Sequence, residues 1–264
     1  MKAKKFTALL FVLAVSNSAL THAQVVLTTA SGTHSYSQDF NGLPSAGSAT
    51  WTDNSSLSGW YATPAATGGF AGLIVATTGA NGNFLGSFGA SSAADRALGA
   101  NPGGASKAWG VRLQNTGTTT ITINTISFTG EEWRTGGTAS AQTVTFAYQI
   151  SAVPITNLTG GTYTALSGLN FTGSVTSPVD TNLNGNLSAN QTAVSVGSLG
   201  LTIAAGSEVM LRWSYADSAG NDANLAIDDL AIAYTTAVPE PATYGMLLMG
   251  AVGGFHYLRK RRHA

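Results

Sequence analysis

In several segments between residues 120 and 234 apolar side chains recur at every second position, and no stretch of residues 24–237 sustains a 3.6-residue period. Gln142-Thr-Val-Thr-Phe-Ala-Tyr-Gln-Ile150 sets Val144, Phe146, Tyr148 and Ile150 on one face. Successive strand residues point to opposite sides, so such a segment forms a strand with one face buried. Thr120 to Phe128 repeats the pattern with Ile121 and Ile123, then moves it by one to Ile126 and Phe128, which predicts a bulge or an edge transition. Val209–Tyr215 and Leu225–Tyr234 read as two late strands. Val25–Thr28, His34–Phe40, Phe70–Ala76, Asn83–Phe88, Lys107–Leu113 and Ala193–Val196 read as further ones. Gly-, Asn-, Pro- and Ser-rich turns separate them, and about ten strands at this spacing predict an all-β, antiparallel β-sandwich, with a lectin-like jelly roll as the leading form. Residues 157–190 are the least regular part and read as a long connection with two short strands or as a divider between two small domains, one domain being favoured.

Composition narrows the partners. Of the 12 Lys and Arg, seven lie in residues 1–23 and 238–264, leaving Arg96, Lys107, Arg112, Arg134 and Arg212 against eleven acids in the body. An acidic, sparsely charged body lacks the clustered cations that nucleic acid requires. Cys is absent, so core burial rather than disulfides must hold the fold.

The two ends carry addresses. Met1-Lys-Ala-Lys-Lys5, the apolar run Phe6–Val15 and Thr21-His-Ala23 before Gln24 have the layout of a secretory signal peptide over residues 1–23, cut by signal peptidase. At the other end Pro239-Glu240-Pro241 precedes an apolar segment and the cations Arg259, Lys260, Arg261 and Arg262. The prolines keep a helix from running in from the body. Residues 243–258 as a helix span about 24 Å, short for a bilayer core of roughly 30 Å. The terminal cations stay cytoplasmic by the positive-inside tendency, which places the body across the membrane.

This tail, residues 238–264, resembles the PEP-CTERM sorting signal of Gram-negative bacteria. The resemblance implies recognition of Pro239–Pro241 by an exosortase, an inner-membrane intermediate held by the C-terminal helix, and delivery to the cell surface or extracellular polysaccharide. The body over residues 24–237 has its own likeness. Ile227-Asp-Asp-Leu230 resembles the closing strand of extracellular carbohydrate-binding and concanavalin-like sandwiches. Phe40-Asn-Gly-Leu-Pro44, Gly59-Trp-Tyr61, Ser87-Phe-Gly89, Asp95-Arg-Ala-Leu-Gly99 and Gly130-Glu-Glu-Trp-Arg134 look like a sandwich type found on other exported bacterial surface proteins, with no activity attached.

Candidate chemistry gathers in the second half. Asp217, Asp222, Asn224, Asp228 and Asp229 supply oxygen donors within a short stretch, suiting a structural Ca²⁺, while capped turns or pairs with Arg212 or Arg134 are the plainer account. One of Asp228 and Asp229 should point inward if the strand is regular. Glu131 and Glu132 suggest a polysaccharide hydrolase with Asp217 and Asp228, but neighbours on opposite faces cannot form the acid–base pair together; a strand end tied to Arg134 beside a packed Trp133 is simpler. Trp51, Trp60 and Tyr61 are the leading candidates for stacking on sugar rings. The Thr row in Thr118–Ile123 would order water if it were repeated across a sheet, although Thr is also a default outward strand residue. His34 is the only His in residues 24–237, which leaves little for nucleophilic or zinc chemistry. The expectation is a non-enzymatic surface protein with a structural, adhesive or glycan-binding role; the alternative is an extracellular hydrolase.

Overall fold

The computed structural model describes residues 24–63, 73–76, 82–90 and 92–238. The expected leader, residues 1–23, and the expected sorting tail from Pro239 on, with the cations Arg259–Arg262, lie outside the described residues. Apart from two single-turn 3₁₀ helices, Ser167–Leu169 and Ser188–Asn190, the regular elements described are strands.

They form two sheets. The first is centred on β8 (Lys107–Gln114), β15 (Glu208–Tyr215) and β10 (Thr143–Ser151). β1 (Val25–Val26) and β4 (Trp60–Thr63) share the free edge of β8, and β11 (Thr164–Ala165) and β12 (Phe171–Thr172) share that of β10. The second is built around two long strands, β9 (Ile121–Arg134) and β16 (Asn224–Thr236). β13 (Gln191–Val196) and β14 (Leu201–Ile203) lie end to end along β9, while β2 (Gly32–Gln38) and β7 (Ala97–Pro102) do the same along β16. β6 (Asn83–Phe88), β5 (Leu73–Ala76) and β3 (Ser48–Ala49) extend the sheet beyond β7. The pairs β1–β8 and β5–β6 are parallel, and the rest are antiparallel. The described residues are therefore all-β in two sheets, as a sandwich requires.

The inner faces explain the alternation. Val144 and Phe146 of β10, Leu211 and Trp213 of β15, and Val111 and Leu113 of β8 meet Ile121, Ile123, Ile126 and Phe128 of β9 in one core. Trp213 stands at its centre, stacked on Trp60 at 5.9 Å and met edge-on by Phe146 at 5.1 Å and Phe128 at 5.6 Å. Tilted and edge-on pairs suit the ring quadrupole and add to the stabilisation from burial. The shift anticipated after Ile123 is real: Tyr234 pairs with Ile123 and Ala233 with Thr125, which leaves Asn124 as the extra residue.

Several expectations need correction. The sequence predicts no strand between Phe88 and Lys107, yet Ala97–Pro102 is one. Its Gly99 lies so close to β16 that a Cβ would collide with the backbone of Leu225 and Ala226. The irregular stretch 157–190 adds both of its short strands, β11 and β12, to the edge of β10, and Asn182 bridges to Arg134. Asp228 and Asp229 do not alternate across a regular strand. A bulge between Asp228 and Ala231 puts Asp229 at φ +50°, and the inward positions on either side are Ile227 and Leu230. Neither acid enters the core.

Candidate functional site

One end of the sandwich gathers three connections: residues 103–106, 135–142 and 216–223. Gly136 lets the second approach the third, since a Cβ there would press on the backbone from Asn221 to Ala223. Between the second and the third lies a cleft of ≈ 470 Å³ bordered by Thr138, Ser140, Gln142, Tyr215, Asp217 and Ser218.

Gln142, just before β10, organises the floor. Its Oε1 accepts from Tyr215 Oη at 2.5 Å and from the Ala223 backbone N–H at 2.5 Å. A backbone N–H can only donate, which fixes the amide's orientation. Its Nε2 then donates to Ser218 Oγ at 2.6 Å and to Asp222 Oδ1 at 2.8 Å, and Ser218 Oγ donates to the same Oδ1 at 2.5 Å. Asp222 is wholly buried, and its second oxygen, Oδ2, has no hydrogen-bond partner among the described residues. A buried, unsatisfied carboxylate oxygen costs free energy. Burial raises the Asp222 pKa, the hydrogen bonds from Ser218 and Gln142 oppose that, and Asp217 adds to it. Burial likewise raises the Tyr215 phenol, which stays a neutral donor.

The rim is held from the opposite side. Asp217 Oδ1 accepts from Gly104 N at 2.6 Å, and Asp217 N donates to Ser106 Oγ at 3.1 Å. Lys107 is buried with Nζ donating to Ala105 O at 2.6 Å; burial lowers its pKa, and attraction to Asp217 opposes this. Ala141, Ala216 and Ala219 line the cleft beside its hydroxyls, the Gln142 amide and the Asp217 carboxylate, and no cation borders it. Such a surface suits an uncharged, hydroxyl-bearing ligand and repels phosphate.

The five residues assigned to Ca²⁺ do not assemble. Asn224 Oδ1 accepts from Asn101 Nδ2 at 2.7 Å. Asp228 is four residues further along the strand, about 13 Å at ordinary rise, whereas Ca²⁺ ligands stand roughly 2.3–2.6 Å from the ion. Among the described residues no group of three or more acids or His is placed to hold a metal. The stacking residues are withdrawn as well. Trp51 is 5 % exposed, Trp60 0 % and Tyr61 3 %. Trp51 and Trp60 fill the core, and Tyr61 lies under Ile155 and Leu158 with Arg112 over its ring at 5.6 Å. They border loops in sequence but are more stable as packing.

Glu131 and Glu132 face opposite sides of β9, and neither is tied to Arg134. That guanidinium pairs with Asp180 instead. Glu132 accepts from Val175 N at 2.8 Å, and burial pushes its pKa up to about 7. Glu131, on the outer face, accepts from Trp133 Nε1 at 3.0 Å and Gln191 Nε2 at 3.1 Å. Asp228 is its diagonal neighbour there, because Asp228 pairs with Thr129 and Ala226 with Glu131. Burial drives Glu131 to about 7 and Asp228 to about 8, with repulsion between these acids and from Asp95 and Asp229 adding to it. The pair is sealed rather than open to a substrate: Glu131 is 2 % and Asp228 4 % exposed.

Sequence reading found Asp217 and Asp222 but missed Gln142, Ser218 and Tyr215. Gln142 lies 80 positions from Asp222, and nothing local marks it as a partner. No protein-family model matches the chain, and no curated protein matches it either.

Proposed function

We propose that this chain is an exported protein displayed on the cell surface or in the extracellular polysaccharide of a Gram-negative bacterium, where its sandwich binds an uncharged, hydroxyl-rich glycan without turning it over. The observation that supports the binding half is the cation-free cleft around Gln142, with the hydroxyls of Thr138, Ser140, Thr143, Tyr215 and Ser218 on its lining. The address rests on the sequence of the ends: signal peptidase would act before Gln24, exosortase at Pro239–Pro241, and the segment before Arg259 would hold the intermediate in the inner membrane. Within the two-sheet architecture the finer reading is a lectin-like, concanavalin-like jelly roll.

A glycan array and a reducing-sugar assay on residues 24–237 test it. The expected result is binding without sugar release, weakened at least tenfold by Ser218→Val, which removes the hydroxyl between Gln142 and Asp222. No binding to any polysaccharide would overturn the ligand assignment. Release of sugar that Glu131→Gln abolishes would establish the hydrolase instead, a reading supported by the raised pKa values of Glu131 and Asp228 and opposed by their burial.

A further inference from the structure

Gln24 is the first residue described and would be the first of the exported chain. It sits at an edge of the first sheet, where Val25 and Val26 pair with Leu113 and Gln114 and Leu27 N donates to Gln114 O at 2.9 Å. The loop before β4 closes on it: Gly59, at φ +79°, leaves room that a Cβ would take within 2.9 Å of Val25 N. The side chain reaches a buried cation, with Gln24 Oε1 accepting from Arg112 Nη2 at 2.5 Å. Arg112 is wholly buried; its Nη1 donates to Ile155 O at 2.6 Å, and its Nε lies 3.8 Å from Glu208 Oε2. That carboxylate is shared, accepting from Ile155 N at 2.8 Å as well.

We propose that Gln24 is a modification site: once the leader is removed, the new N-terminus closes to pyroglutamate, with Arg112 holding the reacting carboxamide oxygen. The α-amino nitrogen attacks Cδ of its own side chain. The Cδ–Nε2 bond breaks, and ammonia leaves with the proton given up by the amine. No oxidant or co-reactant is needed. Negative charge develops on Oε1 as the amine adds, and a guanidinium already bonded to that oxygen stabilises it. In the product the former Oε1 is the lactam carbonyl, so the bond from Arg112 survives. The gain is electrostatic. A free α-ammonium, with an ordinary pKa of about 7.7–8.0, would be a cation within one side chain's length of the buried Arg112. The lactam N–H is neutral.

This rests on the export reading, and mass spectrometry separates their failures. The full chain is expressed with its leader in an exporting Gram-negative host, and the N-terminal peptide of the mature protein is weighed. The expected peptide starts at Gln24, is lighter by one ammonia, and resists Edman degradation until treated with pyroglutamate aminopeptidase. A start at Gln24 that keeps a reactive amine after prolonged incubation overturns the proposal alone. Removal of the leader at another position also overturns the proposal alone, and a retained leader overturns it together with the export reading. For the part played by Arg112, closure is timed in Arg112→Lys and in the native sequence held unfolded in urea. Both should close severalfold more slowly than the folded protein, and equal rates would remove Arg112 from the reaction.

Discussion

The outer face of the second sheet carries two surfaces on the same two strands. Along the first halves of β9 and the second halves of β16 it is open and uncharged. Thr202, Thr122, Thr235 and Thr33 lie in register across β14, β9, β16 and β2, with Ser195, Ser127, Ala231 and Ser37 forming another row. Beyond the bulge at Asp229 the face is covered. Trp133 and Ala226 pack with Phe84, Phe88 and Ala97, and the segment from Asn182 to Asn190 straps over them. Gly185 has no room for a Cβ against the Trp133 indole, and Asn186 Nδ2 ties the strap to Asp95 Oδ2 at 2.6 Å. Covering a sheet face creates a second small core, but it traps whatever acids lie beneath. Glu131 and Asp228 are those acids.

Trp133→Ala should break the comparison most clearly. Removing the largest side chain under the strap should cost roughly 3–5 kcal/mol in urea unfolding; a cost below about 1 kcal/mol would mean that the covered half is not a core.

The pH dependence is next in size. Glu131, Glu132 and Asp228 have folded-state pKa values of about 7, about 7 and about 8, above their ordinary values of 4.5, 4.5 and 3.8. The folded protein therefore holds protons that the unfolded chain releases. Stability from these groups is full below the ordinary values and is lost as pH rises through 7 and 8. At about 1.4 kcal/mol per pKa unit, Glu131 alone should account for a loss on the order of 3 kcal/mol between pH 5 and pH 9. Glu131→Gln should flatten that slope, and stability that rises with pH over this range would contradict the assignment. On the open half, Thr122→Val should stay within about 0.5 kcal/mol, because the hydroxyl faces solvent. The smallest expected effect is that of a chelator. Among the described residues no group of three acids or His is placed to hold a cation, so EDTA should leave the Tm unchanged, and a fall would restore the metal.

Thr143–Ala147 and the first half of β9 were legible because one face of each is buried in the core and the other is not; in Val209–Tyr215 the far face is covered too at Met210, and at the end of β10 Ile150 is exposed. The last five residues of β9, Gly130–Arg134, are buried without alternation, and so are all six of β7. Once both faces are covered no period-2 signal remains, and composition alone does not tell a twice-covered strand from a turn. The same limit hid the cleft. Asp217 and Asp222 were visible as acids in a Gly- and Asn-rich loop, but the carboxamide that holds Asp222 comes from the start of the neighbouring strand β10, 80 positions away in the chain.

By itself the sequence determined that this chain is built of strands and lacks a disulfide staple, because periodicity and cysteine content are local properties. Only the tertiary structure decided that Trp51, Trp60 and Tyr61 are packing rather than contacts, that Asp228 and Asp229 sit on a bulge outside the core, and which acids hold their protons. Burial and charge proximity belong to pairs of residues brought together across sheets, and spacing along a chain does not encode them.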